Sequence, residues 1–168
     1  MHNVIDEFLP KETFDGLKHD ILSSRFPFFI ENKVNNFETE ENKFDWYATH
    51  TIYDDHKPES SYYEQIEKIF LNRINKHHHI KSLIRIKVNF YPHSNELIEH
   101  APHTDDTFSH MGAVFSLNTC DGFTRLSDGS IIDSVENRIV FFDASTSHNS
   151  TTTTTDICLL YTSDAADE

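Results

Sequence analysis

The sequence is sparing with the residues that mark specialised architectures. Its two cysteines, Cys120 and Cys158, are too few for the disulfide framework that staples small extracellular domains. With 4 glycines and 5 prolines there is no Gly/Pro-rich linker to divide the chain, and no internal repeat is visible. No run approaches the roughly 20 apolar residues of a membrane-spanning helix. The opening residues Met1 to Pro10 carry neither a basic nor an apolar leader region, so the expectation is a soluble, cytoplasmic protein without a membrane partner. Basic residues are scarce, 14 against 28 acidic ones for a formal charge of −14, and never cluster beyond a pair. Proteins that grip nucleic acids concentrate Lys and Arg, so a nucleic-acid partner is disfavoured. The densest acidic stretch, Glu38, Glu40, Glu41 and Asp45, followed by Asp54 and Asp55, reads as a solvated face.

What is present suffices for one core. The chain has 168 residues, 37% of them hydrophobic, with 14 Phe. That length and composition suit one domain and exclude global disorder. Pro10 reads as a first helical residue, with Phe14, Leu17 and Ile21 on one face. Ser61 and Glu64 match a capping box ahead of the apolar stripe Tyr62, Ile66, Ile69, Phe70 and Ile74.

From Leu83 the period changes to two. Ile84, Ile86, Val88 and Phe90 alternate with Arg85, Lys87 and Asn89, the pattern of a half-buried strand. Further strands are expected at Ala113 to Asn118, Phe123 to Leu126, Ile131 to Asp133 and Arg138 to Asp143, with a hairpin turn at Asp128-Gly129. Thr151 to Thr155 reads as another strand, because Thr favours sheets. Helices followed by short antiparallel strands imply an α+β chain ending in a small barrel or jelly roll.

Twelve histidines raise the question of metal binding. His77, His78 and His79 are adjacent, so their side chains diverge, and a structural or surface role fits them. His93, His100 and His110 stand alone in loops. His103-Thr104-Asp105 differs, because residues i and i+2 of an extended segment project to one side. A third ligand from a later strand would complete a two-His-one-carboxylate face with open positions for iron. Only His110 and His148 follow Asp105, and His110 is too near in sequence to sit on a separate strand. The candidate set is therefore His103, Asp105 and His148.

With Asn89-Phe90-Tyr91-Pro92 before these residues and Asn137-Arg138-Ile139-Val140-Phe141-Phe142-Asp143 between them, the sequence resembles the iron(II)/2-oxoglutarate-dependent dioxygenases. The resemblance is to the prolyl 4-hydroxylase-like branch and its compact phage-borne members, and it runs from about Val4 to Asp156. It implies a double-stranded β-helix with N-terminal helices packed on its outer face. It also implies Fe(II) held by His103, Asp105 and His148, with 2-oxoglutarate, O2 and ascorbate as co-reactants. Tyr91 would hydrogen-bond 2-oxoglutarate. The implied reaction is hydroxylation of a protein, peptide or small-molecule substrate, such as a prolyl residue, with release of succinate and CO2. A non-catalytic, cupin-like metal-binding jelly roll and a nucleobase oxidative demethylase are the alternatives. The charge argues against the second, which must hold a flipped base.

Two departures from the family pattern stand out. Ile157 to Leu160 supplies no cation where the family places an Arg or Lys for the far carboxylate of 2-oxoglutarate. Ser116 occupies a position where related hydroxylases often carry a Tyr that contacts the cosubstrate. The end of the chain, Cys158 to Glu168, also back-translates to a string that resembles a sequencing-library adapter read in frame. The expectation is a single domain over 1–157, a non-native tail over 158–168, a lost final strand, reduced stability and weak 2-oxoglutarate binding. Among the remaining residues, Trp46 and Tyr47 could rim a substrate groove but read first as core packing, Arg125 could face the cavity but reads first as a surface salt bridge, and Cys120 reads as a turn thiol. Asn137 and Arg138 read as fixing the turn into the buried strand.

Overall fold

The computed structural model describes residues 2–32 and 46–166. Glu38, Glu40, Glu41 and Asp45 lie outside the described residues. In chain order the elements are β1 (Asn3–Ile5), α1 (Lys11–Ile21), β2 (Phe29–Glu31), β3 (Tyr47–Asp54), β4 (Lys57–Pro58), α2 (Tyr63–Ile74), β5 (Ser82–Pro92), β6 (Met111–Ser116), β7 (Phe123–Leu126), β8 (Ile131–Asp133), β9 (Ile139–Asp143), β10 (His148–Asn149) and β11 (Ile157–Ala166).

Both expected helices form, with different starts. Pro10 precedes α1 in extended conformation, ψ 139°, and its carbonyl accepts the Phe14 N–H at 2.9 Å. At α2 the Ser61–Glu64 box does not close, and no side chain caps the helix. Instead the Ser60 hydroxyl accepts the Tyr62 N–H at 3.1 Å. The apolar stripes behave as their spacing requires: Phe14, Leu17 and Ile21 of α1 and Ile66, Phe70 and Ile74 of α2 are buried.

The strands form two antiparallel sheets. The larger runs β1-β9-β6-β11-β5-β3-β2, with β4 against β3, and the smaller runs β10-β7-β8. One face of the large sheet packs on the helices. Ile86 and Val88 of β5, Ala113 and Phe115 of β6, Phe141 of β9, and Leu159 and Tyr161 of β11 meet Phe8, Phe14, Phe70 and Ile74 there. Phe70 lies flat on Tyr161, ring centroids 4.0 Å apart. The alternate residues Arg85, Lys87, Asn89 and Tyr91 of β5 and Leu160, Thr162 and Asp164 of β11 turn to the other face. That face and the small sheet enclose a cavity.

The final strand is not lost, which corrects the expectation. β11 fills the slot between β5 and β6, pairing with β5 from Ile157 to Ala166 and with β6 from Leu160 to Ala165. A strand covered on both faces requires backbone donors and acceptors and a nearly continuous run of residues that can be buried, and this segment has both. Leu159 and Tyr161 are fully buried on the helix side, while Cys158 and Leu160 are buried on the other.

The threonine run is not a strand either. Only Thr151 and Thr153 make isolated bridges, and the segment wraps the Asp121 carboxylate. That group accepts the Thr153 hydroxyl at 2.6 Å and the Thr154 N–H at 2.9 Å, and also the Thr154 hydroxyl. β3 was not anticipated, because Thr49 and His50 are buried in it beside Ala48 and Ile52 and mask the hydropathy period. Asn137 takes φ 60°, and its amide pairs with both backbone groups of Leu9 at 2.9 Å. The turn into β9 is thereby tied to the start of α1.

Candidate metal centre

The cavity between the sheets measures about 540 Å³, and His103, Asp105 and His148 all line it. Backbone pairing brings the two histidines together. The N–H of each donates to the carbonyl of the other at 2.9 Å, which is an antiparallel bridge, so both imidazoles project to the same side. Their ring centroids are 4.6 Å apart. Asp105, two residues on, is fixed by its N–H donating to the Ala144 carbonyl at 3.1 Å. Its Oδ2 lies 3.2 Å from His148 Nε2, and its Oδ1 lies 3.9 Å from His103 Nε2.

These donors suit a metal ion. Bonds of about 2.1 Å at right angles would place neighbouring donor atoms about 3 Å apart, and the three here all lie within 4.8 Å of one another. Two imidazoles and one carboxylate on one side of a centre leave further positions open, the donor set of non-haem Fe(II) sites. His148 Nδ1 faces the Thr146 carbonyl at 2.9 Å. Donation there assigns the proton to Nδ1 and leaves Nε2 as the ligand atom.

Protonation follows the same geometry. Burial opposes charge on Asp105, but the His148 contact and the Arg85 guanidinium outweigh it and hold the carboxyl well below its usual range. Burial and the neighbouring His148 push His103 down, which favours the neutral ligand form. Burial also disfavours charge on His148, yet its contact with Asp105 wins and raises it. A divalent ion would displace that proton.

The residues around the triad were less legible in the sequence. Arg85 reaches from β5 and places Nη2 2.7 Å from Asp105 Oδ1 and 2.8 Å from Asp164 Oδ2. Asp164 is buried, and desolvation together with the nearby Asp105 pushes its carboxyl up to about 6. Asp105, His110 and Asp164 also bring donors within 4.8 Å, although Arg85 already bridges the two carboxylates. The signal that could have found Arg85 is its parity on β5, which it shares with Tyr91.

Tyr91 lines the cavity, stacked between Tyr47 and His100 at 5.6 Å from each. Its hydroxyl accepts from Ser150 at 3.4 Å. Ser116 is buried opposite Leu160 and is not among the lining residues. Tyr47 packs against the buried cluster of Tyr91, Cys120, Cys158 and Leu160 and also walls the cavity, whereas Trp46 is 41% exposed and is not core packing. Arg125 makes the expected surface pair with Glu99 at 2.6 Å. Cys120 is more than a turn thiol, because it packs with Cys158, Tyr91 and Leu160 behind the cavity. Phe141 covers His78 at a centroid distance of 4.4 Å, a structural role.

No protein-family profile matches the chain, and no curated protein sequence does. Solved structures do. A Pseudomonas putida prolyl-4-hydroxylase superposes with a TM-score of 0.62 at 14% identity, covering 98% of this chain and 92% of its own. A Trichoplax adhaerens prolyl hydroxylase, solved with a hypoxia-inducible-factor peptide fragment, reaches 0.67 at 14% identity, with coverage of 99% and 83%. The alpha-ketoglutarate-dependent carbocyclase SnoK from nogalamycin biosynthesis also reaches 0.67, at 10% identity and coverage of 99% and 79%. The fold is the double-stranded β-helix of the 2-oxoglutarate/Fe(II) oxygenases. Its large sheet carries the order β9-β6-β11-β5 and its small sheet β8-β7-β10, with the His103 bridge at the edge beside β10.

Proposed function

We propose that this chain is an Fe(II)- and 2-oxoglutarate-dependent oxygenase that hydroxylates a peptide or small-molecule substrate, with a prolyl residue of a protein or peptide as the first candidate. The observation that carries the reading is the convergence of His103 Nε2, His148 Nε2 and one Asp105 oxygen inside the cavity of this fold. Prolyl hydroxylases among the superposed structures support a peptide substrate. The carbocyclase on the same fold is the reason that the test must begin with the cosubstrate.

The chain's own residues have separable tasks. His103, His148 and Asp105 Oδ2 would hold the metal, while Asp105 Oδ1 stays on Arg85 and so keeps the carboxylate from rotating. The Thr146 carbonyl holds the His148 ring. Tyr91 and Tyr47 form an aromatic wall that excludes water from one side of the cavity and limits how a ligand can lie. Bound together, Fe(II) and 2-oxoglutarate would supply the O2 chemistry that inserts oxygen into a C–H bond and releases succinate and CO2.

The test is an anaerobic visible spectrum of the protein with Fe(II), before and after 2-oxoglutarate, alongside His103→Ala. A weak charge-transfer band that needs both additions and is missing in the variant is the expected result. Stoichiometric iron with no band would overturn the oxygenase reading and leave a metal-binding jelly roll.

A further inference from the structure

Two cations reach the cavity from β5, and they are in different circumstances. Arg85 is engaged by two carboxylates, Asp105 at 2.7 Å and Asp164 at 2.8 Å. Lys87, two residues along, lines the same cavity and is half-buried. Among the described residues no ion pair or hydrogen bond engages its ammonium. Asp54, Glu31 and Asp164 act on it only at longer range, Arg85 repels it, and burial is the largest influence, pushing it below the ordinary lysine range. A half-buried charge without a partner is costly unless an anion joins it.

The position says which anion. β11 is paired with β5 in register, Arg85 opposite Asp164, Lys87 opposite Thr162 and Asn89 opposite Leu160, so the last strand brings no cation to this part of the cavity. The metal ligands stand at the level of Arg85, which touches Asp105. One two-residue step along a strand, about 6.6 Å, leads to Lys87. That separation suits a short chain with a metal-chelating group at one end and a negative charge at the other.

We propose that Lys87 is the anion anchor of the cavity, pairing with the far carboxylate of a short 2-oxo dicarboxylic acid whose near end chelates the metal held by His103, Asp105 and His148. This rests on the oxygenase reading and assigns the group that selects a dicarboxylate over a monocarboxylate. Lys87 acts as a positioning residue and takes no part in the oxidation.

The experiment is calorimetric binding to the Mn(II)-loaded full chain, which needs no turnover. The probes are 2-oxoglutarate and 2-oxopentanoate, equal in chain length but differing at the far end. The wild type is expected to favour 2-oxoglutarate by about 10- to 100-fold, the worth of one charge-assisted pair. Lys87→Met should lose that preference while binding 2-oxopentanoate and Mn(II) as before, and Lys87→Arg should keep most of it. Unchanged 2-oxoglutarate affinity in Lys87→Met, or equal loss of both acids, would overturn the assignment of Lys87 alone. A Mn(II)-loaded wild type that binds neither acid would overturn the oxygenase reading itself.

Discussion

Arg85 is the residue whose removal tests the electrostatic account of the site most directly. Its guanidinium touches Asp105 and Asp164, and the three side chains are 27%, 17% and 6% exposed. Removing one partner of a fully buried ion pair costs about 3–5 kcal/mol, because the other charge is left unpaired in a medium that solvates it poorly. Two features reduce that here. Arg85 is partly open to solvent, and Asp164, already raised to about 6 by burial, can take up a proton at a cost of about 1.4 kcal/mol per pH unit. Arg85→Met, which keeps the aliphatic stem packed, should therefore cost about 2–3 kcal/mol at pH 7 in the metal-free protein, read as a lower urea midpoint at unchanged slope. Adding Asp164→Asn should recover at least about 1 kcal/mol of that loss, a coupling that a double-mutant cycle isolates. Mn(II) should stabilise Arg85→Met more than the wild type, because a cation beside Asp105 replaces the missing charge. A loss below about 0.5 kcal/mol, or single-variant losses that simply add, would refute the reasoning.

Three other outcomes follow from the structure. Asp121 is held down to about 2, against the cost of burial, by bonds from Thr153, Thr154 and Thr155. Its contribution to stability is therefore present above the unfolded value of about 4 and lost as the pH falls toward 2. Asp121→Asn should lower the stability at pH 5 by about 1 kcal/mol or less for so exposed a group, read as a lower melting temperature, and the gap should close near pH 2; a gap independent of pH would contradict this. Deleting residues 158–168 removes the strand that joins β5 to β6 and exposes the core around Phe70, so circular dichroism should show no cooperative unfolding, and a sharp transition would count against the central place of β11. A methyl group on Gly112 would sit 2.7 Å from Ala144 Cβ, and Ala144 carries the carbonyl that orients Asp105. Gly112→Ala should cost about 1–3 kcal/mol and weaken Mn(II) binding about tenfold or more, and unaltered Mn(II) affinity would separate Ala144 from the metal site.

The sequence by itself determined much of this protein. The 3.6-residue stripes placed α1 and α2, the period of two from Leu83 placed β5, and Asp128-Gly129 marked the β7–β8 hairpin, where Gly129 takes φ +83°. These features are local, because burial on one face of an element writes itself into residue spacing. The His103-x-Asp105 pair was legible for the same reason. His148 followed because so few histidines remained.

Only the tertiary structure decided the rest. It turned the threonine run into a wrap around Asp121, which lies some 30 residues earlier and could not be foreseen from strand propensity. It seated the final segment in the middle of the sheet, since a strand slot is specified by its neighbours as much as by its own residues. It joined Arg85, Asp105 and Asp164, and left Lys87 beside them without a partner among the described residues. Contacts of this kind come from three or four strands meeting across a cavity, and their energies depend on burial and distance, which residue order does not contain.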